Sequence, residues 1–263
     1  MDRWAYSTEG FTRSTWRVDG VETVVYEIGE GEPVVYFHGG GTFHGFEWAR
    51  DFADRFRMIL PYHPNFGESG DADFTSVGDY MLHYEMLFAA MGLERFHLMG
   101  ASTGGHFAAR YAGGHRDEVD RLILNAPAGL VSETAAIPDW SQVDHAGTPA
   151  YLVADPAWLE PYWPLEPSEE WMALRQRELR AVMNSREDLN ETHRLLHQHM
   201  GGYDGPVLLL WGEQDRTVTT GFIPAWQELL PDAEVAIIPG GGHLLLDESA
   251  AARQVARDWL LKS

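Results

Sequence analysis

Six short apolar runs limit this chain to few folds. They occupy residues 34–37, 58–60, 96–99, 121–125, 206–211 and 234–238, and each ends in turn-forming residues. Runs this brief and this continuously apolar suit strands buried on both faces. Helix-compatible stretches separate most of them. One opens at Ser76, where Asp79 stands three residues on as a capping box, and closes at Gly92. Others are read over 46–56, from Gly105 to about 112, over 219–230 and over 249–261. Such alternation predicts a mostly parallel sheet with helices on both faces. Upstream, 15–18 and 22–28 read as two strands joined by a turn at Asp19-Gly20.

The rhythm breaks after Gly129. From 130 to 202 no short apolar strand appears, while Pro138, Pro149, Pro156, Pro161, Pro164 and Pro167 alternate with Trp140, Trp158, Trp163 and Trp171. Helices are read over 168–183 and 189–200. The division expected is a core of residues 1–129 and 203–263 with a helical cap lobe of residues 130–202 inserted in it. The tryptophans are expected mostly in the lobe's core, with one or two facing a cleft.

Composition narrows the partners. The 263 residues carry 40 acidic and 19 basic side chains, a formal charge of −21, which argues against nucleic acid or an anionic membrane surface. The absence of cysteine excludes disulfides, thiol catalysis and thiolate metal sites. No segment reaches the roughly 20 apolar residues needed to span a bilayer. Met1-Asp2-Arg3-Trp4 has no apolar run like a signal peptide. The expectation is a cytoplasmic protein acting on a small molecule; oligomeric state is not legible.

The chemistry concentrates at the ends of the apolar runs. Gly100-Ala101-Ser102-Thr103-Gly104 lies between a strand and a helix, the setting of a nucleophile elbow. A serine hydroxyl needs a base in reach, and the base needs an orienting carboxylate. Gly212-Glu213-Gln214-Asp215 follows one later strand, and His243 follows the next after a glycine run. On a parallel sheet these groups belong at the carboxyl edge, where ligand clefts form. His193 and His197 have the i, i+4 spacing of a metal pair, but no carboxylate motif accompanies them, so no metal is expected.

Taken in order, His38-Gly39-Gly40-Gly41, the pentapeptide, Trp211-Gly212-Glu213-Gln214-Asp215 and Gly242-His243 resemble the motifs of the α/β-hydrolase superfamily over nearly the whole chain. The resemblance implies an eight-stranded, mostly parallel sheet with an inserted helical cap. It implies Ser102 as nucleophile, His243 as base and Asp215, rather than Glu213, as the acid. It places the oxyanion hole at the backbone N–H groups of Gly40 and Thr103, and requires no cofactor. Some relatives carry the acid one strand earlier, where this chain has Asn125. His38 is expected to bond the loop backbone, and Asp247 to cap the last helix.

The activity implied first is hydrolysis of a small, largely apolar carboxylic ester or related acyl compound through an acyl-enzyme. Thr103-Gly104-Gly105 and the glycine loop also resemble the ring-cleavage-product hydrolases, which cleave a carbon–carbon bond. Those relatives usually have tryptophan after the histidine, where this chain has Leu244. A third alternative is a triad-bearing ligand receptor with little turnover. Ser102 in place of an aspartate argues against dehalogenase and epoxide hydrolase chemistry. One loop departs from the usual pattern. Tyr62-His63-Pro64-Asn65-Phe66-Gly67-Glu68-Ser69 replaces Asp-x-Pro-Gly-x-Gly-x-Ser, with Asn65 able to take positive φ. This altered loop is expected to shape the edge of the cleft.

Overall fold

The computed structural model describes residues 5–185 and 189–262. The four residues on which the absence of a leader was read lie outside them. Eight strands form one sheet: β1 (Thr12–Val18), β2 (Val21–Ile28), β3 (Glu32–Phe37), β4 (Phe56–Pro61), β5 (Phe96–Ala101), β6 (Val119–Asn125), β7 (Val207–Gly212) and β8 (Glu234–Ile238). Their spatial order is β1-β2-β4-β3-β5-β6-β7-β8. β2 is antiparallel to both neighbours, and every pair from β4 onward is parallel. Asp19 and Gly20 both take positive φ, the backbone twist that a tight two-residue hairpin requires.

The helices are α1 (Val77–Met91), α2 (Thr103–Gly114), α3 (Pro149–Leu152), α4 (Glu169–Asn184), α5 (Leu189–Met200), α6 (Ile223–Leu229), α7 (Leu245–Glu248) and α8 (Ala250–Leu260). The predicted capping box at Ser76 and Asp79 forms, and Gly92 closes α1 in the left-handed conformation.

Side-chain alternation sorts the strands onto two core layers. Val35, Phe37, Leu98, Leu124, Leu209 and Trp211 bury against α1, α2, α5 and α6. Val34, Tyr36, Met99, Ile123, Leu208 and Leu210 point the other way, toward residues 46–52 and α8. Both faces of β3, β5, β6 and β7 are therefore covered, which is why their sequences read as unbroken apolar runs rather than alternating ones.

Two helices are shorter than their sequence pattern. Residues 46–56 yield only a 3-10 turn, Glu47–Phe52. The buried positions Phe46, Ala49 and Phe52 recur every third residue, the period of a 3-10 helix rather than of an α-helix. Over 219–230 a 3-10 turn at Thr220–Phe222 precedes α6, with Pro224 in the first α-helical turn.

Between Asn125 and Val207 the described residues contain no strand. A third apolar cluster joins Phe43, from the loop after β3, to Val153, Leu159, Trp163 and Trp171 of this segment. α5 instead sends Leu196 and Met200 into the layer beneath the sheet. A cavity of about 560 Å³ lies between the carboxyl edge of the sheet and this segment. None of the described helices is long and apolar enough to cross a membrane.

Candidate active site

The geometry at Ser102 follows from its glycines. A Cβ at Gly104 would lie 2.1 Å from the Phe37 carbonyl oxygen, and one at Gly100 would lie 2.3 Å from the Gly104 oxygen. Only with both side chains absent can α2 start directly beside β3. The turn this forces leaves Ser102 at φ 53°, ψ −119°, a region that L-residues rarely occupy and that costs about 1–3 kcal/mol. Backbone bonds hold it there. Ser102 N–H donates to Asn125 O (3.0 Å), and Ser102 O accepts from Ala128 N–H (3.0 Å) and His106 N–H (3.2 Å).

His243 arrives from the loop after β8. Its Nδ1 lies 2.8 Å from Asp215 Oδ2, and both side chains are buried. The other carboxylate oxygen, Oδ1, accepts from Thr217 N–H (2.8 Å) and Val218 N–H (2.9 Å). Three hydrogen bonds therefore orient Asp215, and through it the imidazole plane. Glu213 is not part of this arrangement; it is exposed and accepts from Gly240 N–H at 3.1 Å. Ser102 and His243 line the same cavity, and among the described residues no hydrogen bond joins them.

The loop after β3 passes beside the serine. A Cβ at Gly39 would sit 3.3 Å from Ser102 Cβ, and one at Gly40 would sit 3.8 Å from Thr103 Oγ1. Neither Gly40 N–H nor Thr103 N–H donates to a protein acceptor among the described residues. Beneath the loop, His38 Nε2 accepts from His63 N–H (3.0 Å), so its proton sits on Nδ1 and is donated to Gly39 O (2.7 Å). His63 Nε2 lies 2.9 Å from His38 O, and its Nδ1 bonds the Tyr84 hydroxyl. Burial pushes the pKa of both imidazoles down, that of His63 to about 3, which keeps these tautomers neutral. His38 thus bonds the loop backbone as expected; the support from His63 and Tyr84 had no sequence signal.

From above, α4 grips the same loop. Arg175 Nη1 donates to Gly40 O (3.3 Å), and its guanidinium lies 5.1 Å from the centre of the Phe43 ring. Glu178, whose side chain is fully buried, accepts from Thr42 Oγ1, Arg175 and Gly67 N–H. The loop of residues 62–69 does not line the cavity, contrary to the expectation for it. Tyr62 is buried under Tyr6 instead, with a 2.8 Å hydroxyl contact, and Gly67 meets α4. Asn65 does take positive φ (72°), stabilised by a two-way bond with the backbone of Ala72.

Asp247 is also displaced from its expected role. Ser249 caps α8 by accepting from Ala252 N–H (3.2 Å), while Asp247 Oδ1 lies 3.0 Å from His44 Nδ1. The histidine loop is held instead by Glu248, which accepts from Gly242 N–H and Ala154 N–H and whose pKa burial raises. The remaining walls are mainly apolar, with Phe107, Leu130, Ile137, Leu179 and Phe222 among them. Trp140 is the tryptophan of the segment that lines the cavity; Trp163 and Trp171 are buried in the third cluster. His193 Nδ1 accepts from Val131 N–H (3.2 Å). Among the described residues no group of three or more His, Asp or Glu is placed to hold a metal ion.

Residues 34–257 match the family model described as the alpha/beta hydrolase family, and the chain belongs to that family. It is 34% identical over 148 residues to a 1-acylglycerol-3-phosphate O-acyltransferase of Arabidopsis thaliana, covering 52% of this chain but only 34% of that one. It thus spans about a third of the length of that relative. Lipase 1 of Psychrobacter immobilis is 25% identical over 241 residues, 84% of this chain and 75% of the lipase. Among solved structures, 2-hydroxy-6-oxo-6-phenylhexa-2,4-dienoate hydrolase from Rhodococcus sp. superposes with a TM-score of 0.77. It shares 17% identity, with 96% of this chain and 99% of that one covered, which is a likeness of fold.

Proposed function

We propose that this protein is a serine hydrolase that cleaves a small, largely apolar carboxylic ester or related acyl compound through an acyl-enzyme. One observation carries the reading. The strained Ser102, the Asp215-bonded His243, and Gly40 and Thr103 with their unengaged N–H groups all line one mainly apolar cavity.

Ser102 Oγ attacks the substrate carbonyl as His243 Nε2 takes its proton. Asp215 accepts a hydrogen bond from Nδ1–H, which fixes the tautomer and stabilises the imidazolium. The Gly40 and Thr103 N–H groups receive the developing oxyanion. A preorganised donor of this kind is worth about 3–4 kcal/mol in the transition state. His243 then gives its proton to the departing alkoxide. Water repeats the sequence on the acyl-enzyme and releases the acid and free Ser102. No cofactor enters these steps. The segment of residues 130–202 acts as a cap that supplies much of the apolar wall.

Rapid mixing with p-nitrophenyl esters of graded acyl length tests this reading. The expected result is a burst of nitrophenolate equal to the enzyme concentration, with an acyl adduct mapped to Ser102. Ligand binding without acylation would contradict it and favour the receptor alternative. Turnover of a ring-cleavage dienoate far above that of any ester would shift the reaction to carbon–carbon cleavage.

A further inference from the structure

The cavity holds a second imidazole–carboxylate couple. His44 stands in the loop after β3 and Asp247 in α7, and both line the cavity with Ser102 and His243. Asp247 Oδ1 engages His44 Nδ1 at 3.0 Å, and the two side chains are only 8% and 6% exposed. This bond occupies one ring nitrogen, as Asp215 occupies Nδ1 of His243. Nε2 of His44 has no protein partner among the described residues and is not among the atoms sealed from solvent. A polar ring atom left open on a mainly apolar wall costs free energy unless water or a ligand meets it.

We propose that His44, held by Asp247, is a substrate-binding residue that hydrogen-bonds a hydroxyl group carried by the substrate away from the scissile bond. A hydroxyl fits because it both donates and accepts. With Nδ1–H donating to Asp247, a neutral imidazole presents a lone pair at Nε2 and accepts a hydrogen bond from the hydroxyl. The imidazolium presents N–H and meets the hydroxyl oxygen. A purely apolar isostere satisfies neither form. The surroundings favour a small neutral polar group over a charged one. The nearby cation Arg175 is already matched by the buried Glu178, and Asp247 opposes a second anion. This subsite narrows the substrate class of the proposed hydrolase to hydroxylated acyl compounds, and it rests on that reading only for what happens after binding.

Binding to Ser102→Ala protein separates the two claims. Isothermal titration compares 2-hydroxyethyl butyrate with propyl butyrate, which places the hydroxyl in the alcohol. It also compares propyl 6-hydroxyhexanoate with propyl heptanoate, which places it in the acyl chain. In one of the two pairs the hydroxylated ester is expected to bind about tenfold tighter, about the net worth of one hydrogen bond that the apolar isostere cannot make. Adding His44→Phe or, if that variant folds poorly, the near-isosteric Asp247→Asn lowers the preference to about threefold or less. Equal affinities in both pairs, or a preference that survives both substitutions, would overturn the subsite. Turnover of the same esters by the wild-type protein reads the hydrolase separately: a hydroxyl preference without turnover keeps the subsite and removes the hydrolase.

Discussion

The two His–carboxylate couples in this cavity have nearly the same length, 2.8 Å and 3.0 Å, yet they are built differently. Asp215 is tied by Thr217 N–H and Val218 N–H in the loop after β7, so its carboxylate is oriented independently of the imidazole. Asp247 has only His44 as a side-chain partner among the described residues, and the couple joins the loop after β3 to the short helix α7. A chemical step that moves a proton needs the first kind of support. Recognition of a flexible hydroxyl is served by the second. The difference between them is thus one of backbone support, not of residue type.

Exchanging one carboxylate at a time should expose this difference. Asp215→Asn is expected to lower kcat on the best ester by about 10³–10⁴-fold, because an amide there stabilises the wrong tautomer. Asp247→Asn is expected to cost about tenfold or less on the same substrate. Steady-state kinetics of the two variants side by side would measure the gap, and equal losses would erase the distinction.

The backbone beside Ser102 should be intolerant. Gly104→Ala places a methyl 2.1 Å from the Phe37 oxygen and 2.3 Å from the His38 oxygen, and neither backbone atom can swing away. A destabilisation of about 2–4 kcal/mol is expected from denaturant unfolding.

Acid should undermine the same region. His63, under the glycine loop, and His106, in α2, are pushed down to about 3 by burial. Between that value and the ordinary value near 6.5, the unfolded chain binds protons that the folded one refuses. Stability therefore falls as pH drops through this window, by about 1.4 kcal/mol per pH unit for each such group. Chemical denaturation at pH 7, 6 and 5 would read the slope. The smallest effect belongs to Glu213→Gln, expected to stay within about twofold of wild-type turnover, since Glu213 is exposed and bonds only the Gly240 turn among the described residues.

The placing of Ser102, Asp215 and His243 at one edge of the sheet was legible because each follows an apolar run, and a parallel sheet delivers the ends of such runs to one edge. The sheet itself was legible for the same reason. What stayed hidden depends on loops that meet only in three dimensions. His44 lies six residues past His38 and Asp247 four past His243, and nothing in either local pattern connects positions 203 residues apart. Glu178 belongs to no motif read in the sequence, yet its carboxylate is fully buried against the glycine loop. The loop of residues 62–69 gave a departure from a familiar motif but not its direction: it turned inward, with Tyr62 and His63 filling space under the sheet edge rather than shaping the cleft.

The most direct test is covalent. A fluorophosphonate offered to the folded protein should label one residue, Ser102 by peptide mapping, and Ser102→Ala protein that retains its thermal transition should take up none. Unchanged labelling of the Ser102→Ala variant, or no labelling of the wild-type chain, would contradict the assignment of Ser102 as the nucleophile.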